Sequence, residues 1–177
     1  MYDLRKSNGP LAEVNSHDID AIRWFTGSEF EEVYAVAGNY RCPQARDQFP
    51  DYYDSFLLLA KMANGMQGLI DGAASVHYGY DSRVEVLGTS GVLFAGDLRA
   101  NSAQVCAQGG IRTPVVQSWR ELFAEAYLAE ATEFINCIRE DRQPDIDGLD
   151  GMEAVRVVEA GNRAIRLGRP VKLAEID

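Results

Sequence analysis

Asn64-Gly65 separates two apolar, β-prone stretches, Tyr53–Ala63 and Met66–Val76. An Asn-Gly pair in that setting is the strongest short-range hairpin signal, because both central positions of the tight turn take positive φ. It commits the middle of the chain to antiparallel β structure. A second pair, Arg83–Leu87 with Val92–Ala95, flanks Gly88-Thr-Ser-Gly91, and a weaker strand is expected over Ser102–Ala107, ending at Gly109-Gly110. Upstream, Glu29–Tyr40 alternates, with Val33, Ala35 and Ala37 on one side and Tyr34, Val36 and Gly38 on the other.

Helical periodicity lies on either side of this centre. Residues 13–26 read as a short helix on which Ile19, Ile22 and Phe25 share a face, and Gly27 is the residue type expected just past its end. The stretch 41–51, with two prolines, is a loop. After Pro114, Leu122, Phe123, Ala126, Tyr127, Phe134, Ile135 and Ile138 fit one face of a long helix over about 118–140, which Pro144 ends. A second helix near 149–167 is lined by Met152, Val155, Val158 and Ile165 and stops at Gly168. Strands in a run followed by helices in a run predict an α+β fold: a largely antiparallel open sheet with helices packed on one face, as one domain over 1–177.

Composition narrows the function classes. The 177 residues are 46% hydrophobic and 25% charged, ordinary for a globular domain. Seventeen Lys and Arg against 27 Asp and Glu give a formal charge of -10, which repels phosphate backbones and argues against nucleic acid as a partner. No apolar run approaches the ~20 residues of a membrane span, and the N-terminus lacks the apolar core of a secretion signal. Cys42, Cys106 and Cys137 are far apart and odd in number, which suits reduced thiols, a cytoplasmic location and neither a disulfide framework nor a zinc knuckle.

The segment Glu13-Val-Asn-Ser-His17-Asp18-Ile-Asp20 holds the candidate chemistry. On a continuous helix Glu13 and His17, four apart, project to one side with Asp20 and Trp24. A histidine beside a carboxylate is standard equipment for moving a proton at neutral pH. The plainer alternative is a first helical turn decorated with acids that suit the helix dipole. A metal site built from His17, Glu13, Asp18 and Asp20 is a third, with no second histidine or cysteine nearby to support it. Asn15 is placed either to reach a substrate hydroxyl or to cap the helix. Asp81, Arg83 and Glu85, spaced by two, read as a solvated or cross-paired strand face, and His77 as a structural strand residue.

Five motifs follow in order: H-D-I-D with R-W-F-x-G at 17–27, N-G-x-x-G at 64–68, Y-G-Y-D-x-R-x-E-x-x-G at 78–88, W-x-x-x-F-x-x-A-Y-x-x-E at 119–130, and the tail from Gly148-x-Asp150-Gly151 to Pro170-Val171. Together they resemble the C-terminal domain of the glucose–fructose oxidoreductase/inositol dehydrogenase (Gfo/Idh/MocA) family. The resemblance implies that His17 accepts the substrate hydroxyl proton while hydride leaves the same carbon for a nicotinamide. It implies that Glu13 stands where inositol dehydrogenases normally have Asp, one methylene longer, which changes the reach of the relay. Tyr78, Tyr80 and Tyr127 fall where the family places tyrosines around the polyol. A phenol suits that position, offering an apolar face and a hydroxyl, although tyrosines are also common in strands and amphipathic helices for packing alone.

Hydride chemistry belongs to the cofactor. The sequence has no G-x-G-x-x-G after a strand and none of the family's Glu-Lys-Pro tripeptide that carries the catalytic lysine. The expectation is therefore the substrate-binding half of an NAD(P)-dependent sugar or polyol dehydrogenase. It is expected to bind no cofactor alone and to lack the first helix and strand of the family's domain, with the nucleotide-binding half on another chain or lost. A strand missing from a sheet leaves backbone groups unpaired, so self-association is expected, through the sheet face or that edge. The rival expectation is a non-catalytic carbohydrate-binding or dimerisation module.

Overall fold

The computed structural model describes residues 2–176. In chain order these form α1 (Leu4–Ser7), α2 (Gly9–Glu13), α3 (Ser16–Thr26), β1 (Phe30–Gly38), a 3-10 turn (Pro43–Asp47), β2 (Ser55–Met62) and β3 (Gln67–Ala73). There follow β4 (Val84–Gly88), β5 (Gly91–Ala95), β6 (Val105–Ala107), β7 (Gly110–Arg112), α4 (Trp119–Leu122), α5 (Ala124–Glu140), α6 (Gly148–Leu167), β8 (Val171–Lys172) and a final 3-10 turn (Leu173–Glu175). They make two compact units, one of residues up to Ser75 with those from Asp145 onward, the other of Val76–Pro144.

The first unit is a four-stranded antiparallel sheet in the order β3-β2-β1-β8. Alternation along β2 sends Phe56, Leu58, Ala60 and Met62 inward and leaves Leu57, Leu59 and Lys61 outside. The inward residues join Val33 and Ala35 of β1, Ile70 of β3, Leu11 and Ile19 of the N-terminal helices, and Ala154, Val157, Val158, Ala160 and Ala164 of α6 in one core. The helices thus cover one face, and the fold is the expected α+β.

Small residues let α6 approach the sheet. A Cβ at Gly161 would stand 2.5 Å from Leu11 Cδ2 and 3.0 Å from Leu58 Cδ1, so only glycine fits that spacing. The lining differs from the expected one. Met152 and Val155 are exposed and Ile165 is only partly buried, because the buried stripe runs through the alanines, Val157, Val158 and Gly161. Polar groups in this interface are paired: the Tyr53 hydroxyl donates to Asn162 Oδ1 (2.9 Å), and Asn162 Nδ2 donates to the Asn8 carbonyl (3.0 Å). Burial raises the Tyr53 phenol far above its ordinary value. Asp147 caps α6 by accepting from the Leu149 N–H (2.7 Å), while Asp150 accepts from the Asp147 N–H (2.9 Å).

The Asn64-Gly65 hairpin forms, with one difference. Gly65 takes φ 87° and its N–H donates to the Met62 carbonyl, while among the described residues Asn64 is not at positive φ. The loop between β2 and β3 spans the four residues 63–66, with Gly65 alone among them at positive φ and Asn64 Oδ1 accepting from the Met66 N–H (3.1 Å).

The second unit contains the β4–β5 hairpin, the short β6–β7 pair, α4 and α5. The weak strand expected over 102–107 is thus half of a hairpin that continues past Gly109-Gly110. The expected helix over 118–140 is interrupted at Phe123, whose φ of -109° and ψ of 19° separate α4 from α5.

Candidate functional site

The His-bearing segment is not one helix. Glu13 is the last residue of α2, Val14 and Asn15 form a turn, and His17 is the second residue of α3. Glu13 and His17 are both exposed, and among the described residues no hydrogen bond or ion pair joins them. The break follows from burial on both sides: Leu11 and Ile19 are each 0% exposed, and the turn lets both enter the core. Phe25, expected beside Ile19, is instead exposed, as is Trp24.

Asn15 is 6% exposed, and its Nδ2 donates to Asp18 Oδ2 at 2.6 Å. It occupies the N-cap position of α3 without making a side-chain capping bond. Burial raises the Asp18 carboxyl above its ordinary value, against the Asn15 bond and the nearby His17, which both favour ionisation. An exposed imidazole at a helix start, with carboxylates at 13 and 18, is chemically able to take up a proton from a bound hydroxyl.

Asp20 serves a different partner. Its Oδ1 lies 3.1 Å from Arg23 Nη1, and Arg23 also holds Glu29 through two bonds of 2.8 Å and Asp150 at 3.2 Å. The Arg23 side chain is mostly buried, and the Glu29 bond, ahead of the others, raises its guanidinium further. The arginine of the R-W-F-x-G motif therefore ties α3 to the entry of β1 and to the first turn of α6. Among the described residues no group of three or more His, Cys, Asp or Glu is arranged to hold a metal ion.

The tyrosines and His77 belong to the second unit. Tyr78 and Tyr80 lie in an irregular segment before β4, and His77 sits in an exposed bend rather than a strand. The Tyr78 hydroxyl donates to Asp81 Oδ2 (3.3 Å), and Asp81 in turn pairs with Arg83 through two bonds of 2.8 Å. Tyr80 packs edge-on against Phe123 with ring centroids 6.1 Å apart, and its N–H donates to the Val116 carbonyl (2.7 Å). That close approach explains Gly79: a Cβ there would stand 2.5 Å from the same carbonyl oxygen. Tyr127, half exposed on α5, packs against Trp119 at 5.5 Å.

One buried carboxylate escaped the sequence reading. Asp54 is 0% exposed and accepts from the N–H groups of Tyr40, Arg41 and Cys42 at 2.6–3.0 Å. Burial opposes its ionisation, but these three bonds outweigh it and hold the carboxyl below its ordinary value. It pins the loop after β1. Only the Asp following Tyr52-Tyr53 at the start of a strand hinted at it.

Every strand pair among the described residues is antiparallel, so there is no parallel βαβ crossover to present a helix N-terminus to a pyrophosphate.

Comparison with known proteins places this architecture. The chain is 29% identical over 174 residues to the myo-inositol 2-dehydrogenase of Thermotoga maritima, covering 98% of this chain and 52% of that protein. It is 28% identical over 173 residues to the scyllo-inositol 2-dehydrogenase (NAD(+)) of Bacillus subtilis, covering 96% and 49%. The crystal structure of scyllo-inositol dehydrogenase from Lactobacillus casei with bound cofactor NAD(H) and scyllo-inositol superimposes with a TM-score of 0.87 at 28% identity, covering 94% of this chain and 48% of that one. The chain thus spans about half the length of the relatives it matches. The Gfo/Idh/MocA family, in its description an oxidoreductase family's C-terminal alpha/beta domain, matches residues 3–173, and the chain belongs to it.

Proposed function

We propose that this chain supplies the substrate-binding half of an NAD-dependent dehydrogenase that acts on an inositol or a related polyol. The observation that carries the reading is an exposed His17 in H-D-I-D, within a chain matched along nearly its whole length to inositol dehydrogenases. In this reading His17 accepts the proton of the hydroxyl being oxidised, and Glu13 or Asp18 supports the imidazolium that results. Tyr78, Tyr80 and Tyr127 contribute polyol contacts, each offering a ring face and a hydroxyl. NAD supplies the hydride acceptor, from residues other than those described.

The test mixes this chain with a nucleotide-binding half of the family and follows NADH formation on a panel of inositols and sugars. Turnover on an inositol is expected, and His17→Asn should lower it by about 10²–10⁴-fold, the usual contribution of a general base. No turnover on any polyol with a half that is active with its own partner domain would sink the reading.

A second reading, a module for self-association, is favoured by the outer face of the first unit's sheet. There Val36, Leu57, Leu59 and Leu69 are all exposed, with Val36 opposite Leu57 and Leu59 opposite Leu69 across adjacent strands. An apolar face of that kind marks an interaction surface. Equilibrium sedimentation should give a dimer or larger for the chain and a monomer for Leu59→Glu; a monomeric wild-type mass at micromolar concentration would exclude self-association.

A further inference from the structure

We propose that Asn15 is a positioning residue: bonded to Asp18 and wedged against β2 and β3, it fixes the turn between α2 and α3 and so the direction in which His17 leaves the fold. This rests on the reading of His17 as the proton acceptor, but its geometry is independent of that reading.

Four observations support it. Asn15 and Asp18 are the N-cap and third residues of α3, and the 2.6 Å bond between their side chains spans the two residues that include His17. The Asn15 side chain is turned inward, and its Oδ1 is buried without a hydrogen-bond partner. A buried, unpartnered amide oxygen is costly to keep, so ordinary packing selects against it. The strand beneath makes room for it: a Cβ on Gly72 would lie 2.6 Å from Asn15 Oδ1 and 2.4 Å from Phe56 Cζ. Finally, among the described residues no hydrogen bond or ion pair joins Glu13 to His17, so the direction of the imidazole follows from the turn that carries it. An amide so enclosed acts on the turn, and a substrate hydroxyl arriving from solvent does not reach it.

The chain suits a direct test, because NMR reads backbone order residue by residue. In the unmodified chain the Asn15 side-chain NH₂ should exchange at least tenfold more slowly than a solvent-exposed Asn, and the amides of residues 14–18 should be as ordered as β2, with order parameters near ~0.85. In Asn15→Ala the order parameters of residues 14–18 should fall below about 0.6 while those of β2 and α6 stay unchanged. Gly72→Ala, which pushes on the amide from the strand side, should produce the same local loss without altering the helix sequence. A uniform loss across the sheet would mean that Asn15 only stabilises the fold, and overturns the proposal, as does unchanged order at 14–18. Should both variants fail to fold, fast exchange of the wild-type Asn15 NH₂ still overturns it, and slow exchange upholds the bond on which it rests. None of these outcomes depends on whether the assembled enzyme oxidises an inositol, so the two readings fail separately.

Discussion

The two long helices, α5 and α6, carry apolar residues at similar helical spacing yet end in opposite circumstances. Along α6 seven residues are buried, and all but Asn162 and the two valines are alanine or glycine. Along α5 only Cys137 is buried, while Leu128, Phe134, Ile135 and Ile138 face solvent. A helix meets a sheet closely only where its side chains are small, and close packing is what converts apolar surface into stability. Large aliphatic and aromatic residues announce a helix face that needs a partner; small ones announce a partner already within reach.

The largest expected effect lies beneath α6. Leu58 is fully buried between β2 and that helix, so Leu58→Ala should cost the first unit about 2–5 kcal/mol, combining lost transfer energy with a residual cavity. The two tryptophans separate the units, since Trp24 lies in the first and Trp119 in the second. Urea unfolding followed through Trp24 in a Trp119→Phe background measures the loss. A shift under about 0.5 kcal/mol would show that α6 packs less tightly than its small residues imply.

Acid should sharpen the contrast at the helix ends. The Asp150 carboxyl is held low, first by the Asp147 N–H and then by Arg23, which belongs to α3. Glu133 is also held low, by Arg142 and then Cys137, but these lie at the end of its own helix. A carboxyl depressed by folding adds stability that is complete above its ordinary value, near 4, and is lost as pH falls through the folded value. Below pH 4, protonating Asp150 undoes a tertiary tie, whereas protonating Glu133 frays a helix terminus. Asp150→Asn should therefore flatten the loss of melting temperature between pH 5 and pH 3 more than Glu133→Gln does. Equal slopes for the two variants would show that the Arg23 tie adds nothing beyond local capping.

Much of this was legible in the sequence, and the failures share a cause. The Asn64-Gly65 hairpin, the β4–β5 pair and the glycine stops at Gly27 and Gly168 are local signals, each decided within a few residues. The buried stripe of α6 is not legible from its larger apolar residues, because Met152 and Val155 are exposed while the small Ala154, Gly161 and Ala164 are buried. The continuous helix over 13–26 failed because no residue type at Val14 or Asn15 forbids helix; the turn is imposed by the burial of Leu11 and Ile19. His17 stands out only through its motif, and its role is the proposal made above. The Arg23–Asp150 tie and the Asp54 clamp were not legible, since the first joins residues 127 apart and the second depends on backbone N–H groups that every sequence has.

The smallest effect is expected on α5. Phe134 and Ile138, four residues apart on one face, are 60% and 62% exposed, so replacing both with glutamine removes little buried surface. Glutamine is also at least as good a helix former as either. The double variant should therefore unfold within about 0.5 kcal/mol of the parent when followed through Trp119 in a Trp24→Phe background. A loss of 2 kcal/mol or more would mean that the stripe is covered in solution. Repeating the measurement at tenfold dilution then identifies the cover: a loss that shrinks on dilution comes from a second copy of the chain, and a loss that persists comes from the chain's own fold. Either result would bring α5 to the condition of α6 and remove the difference in residue size as the reason the two helices diverge.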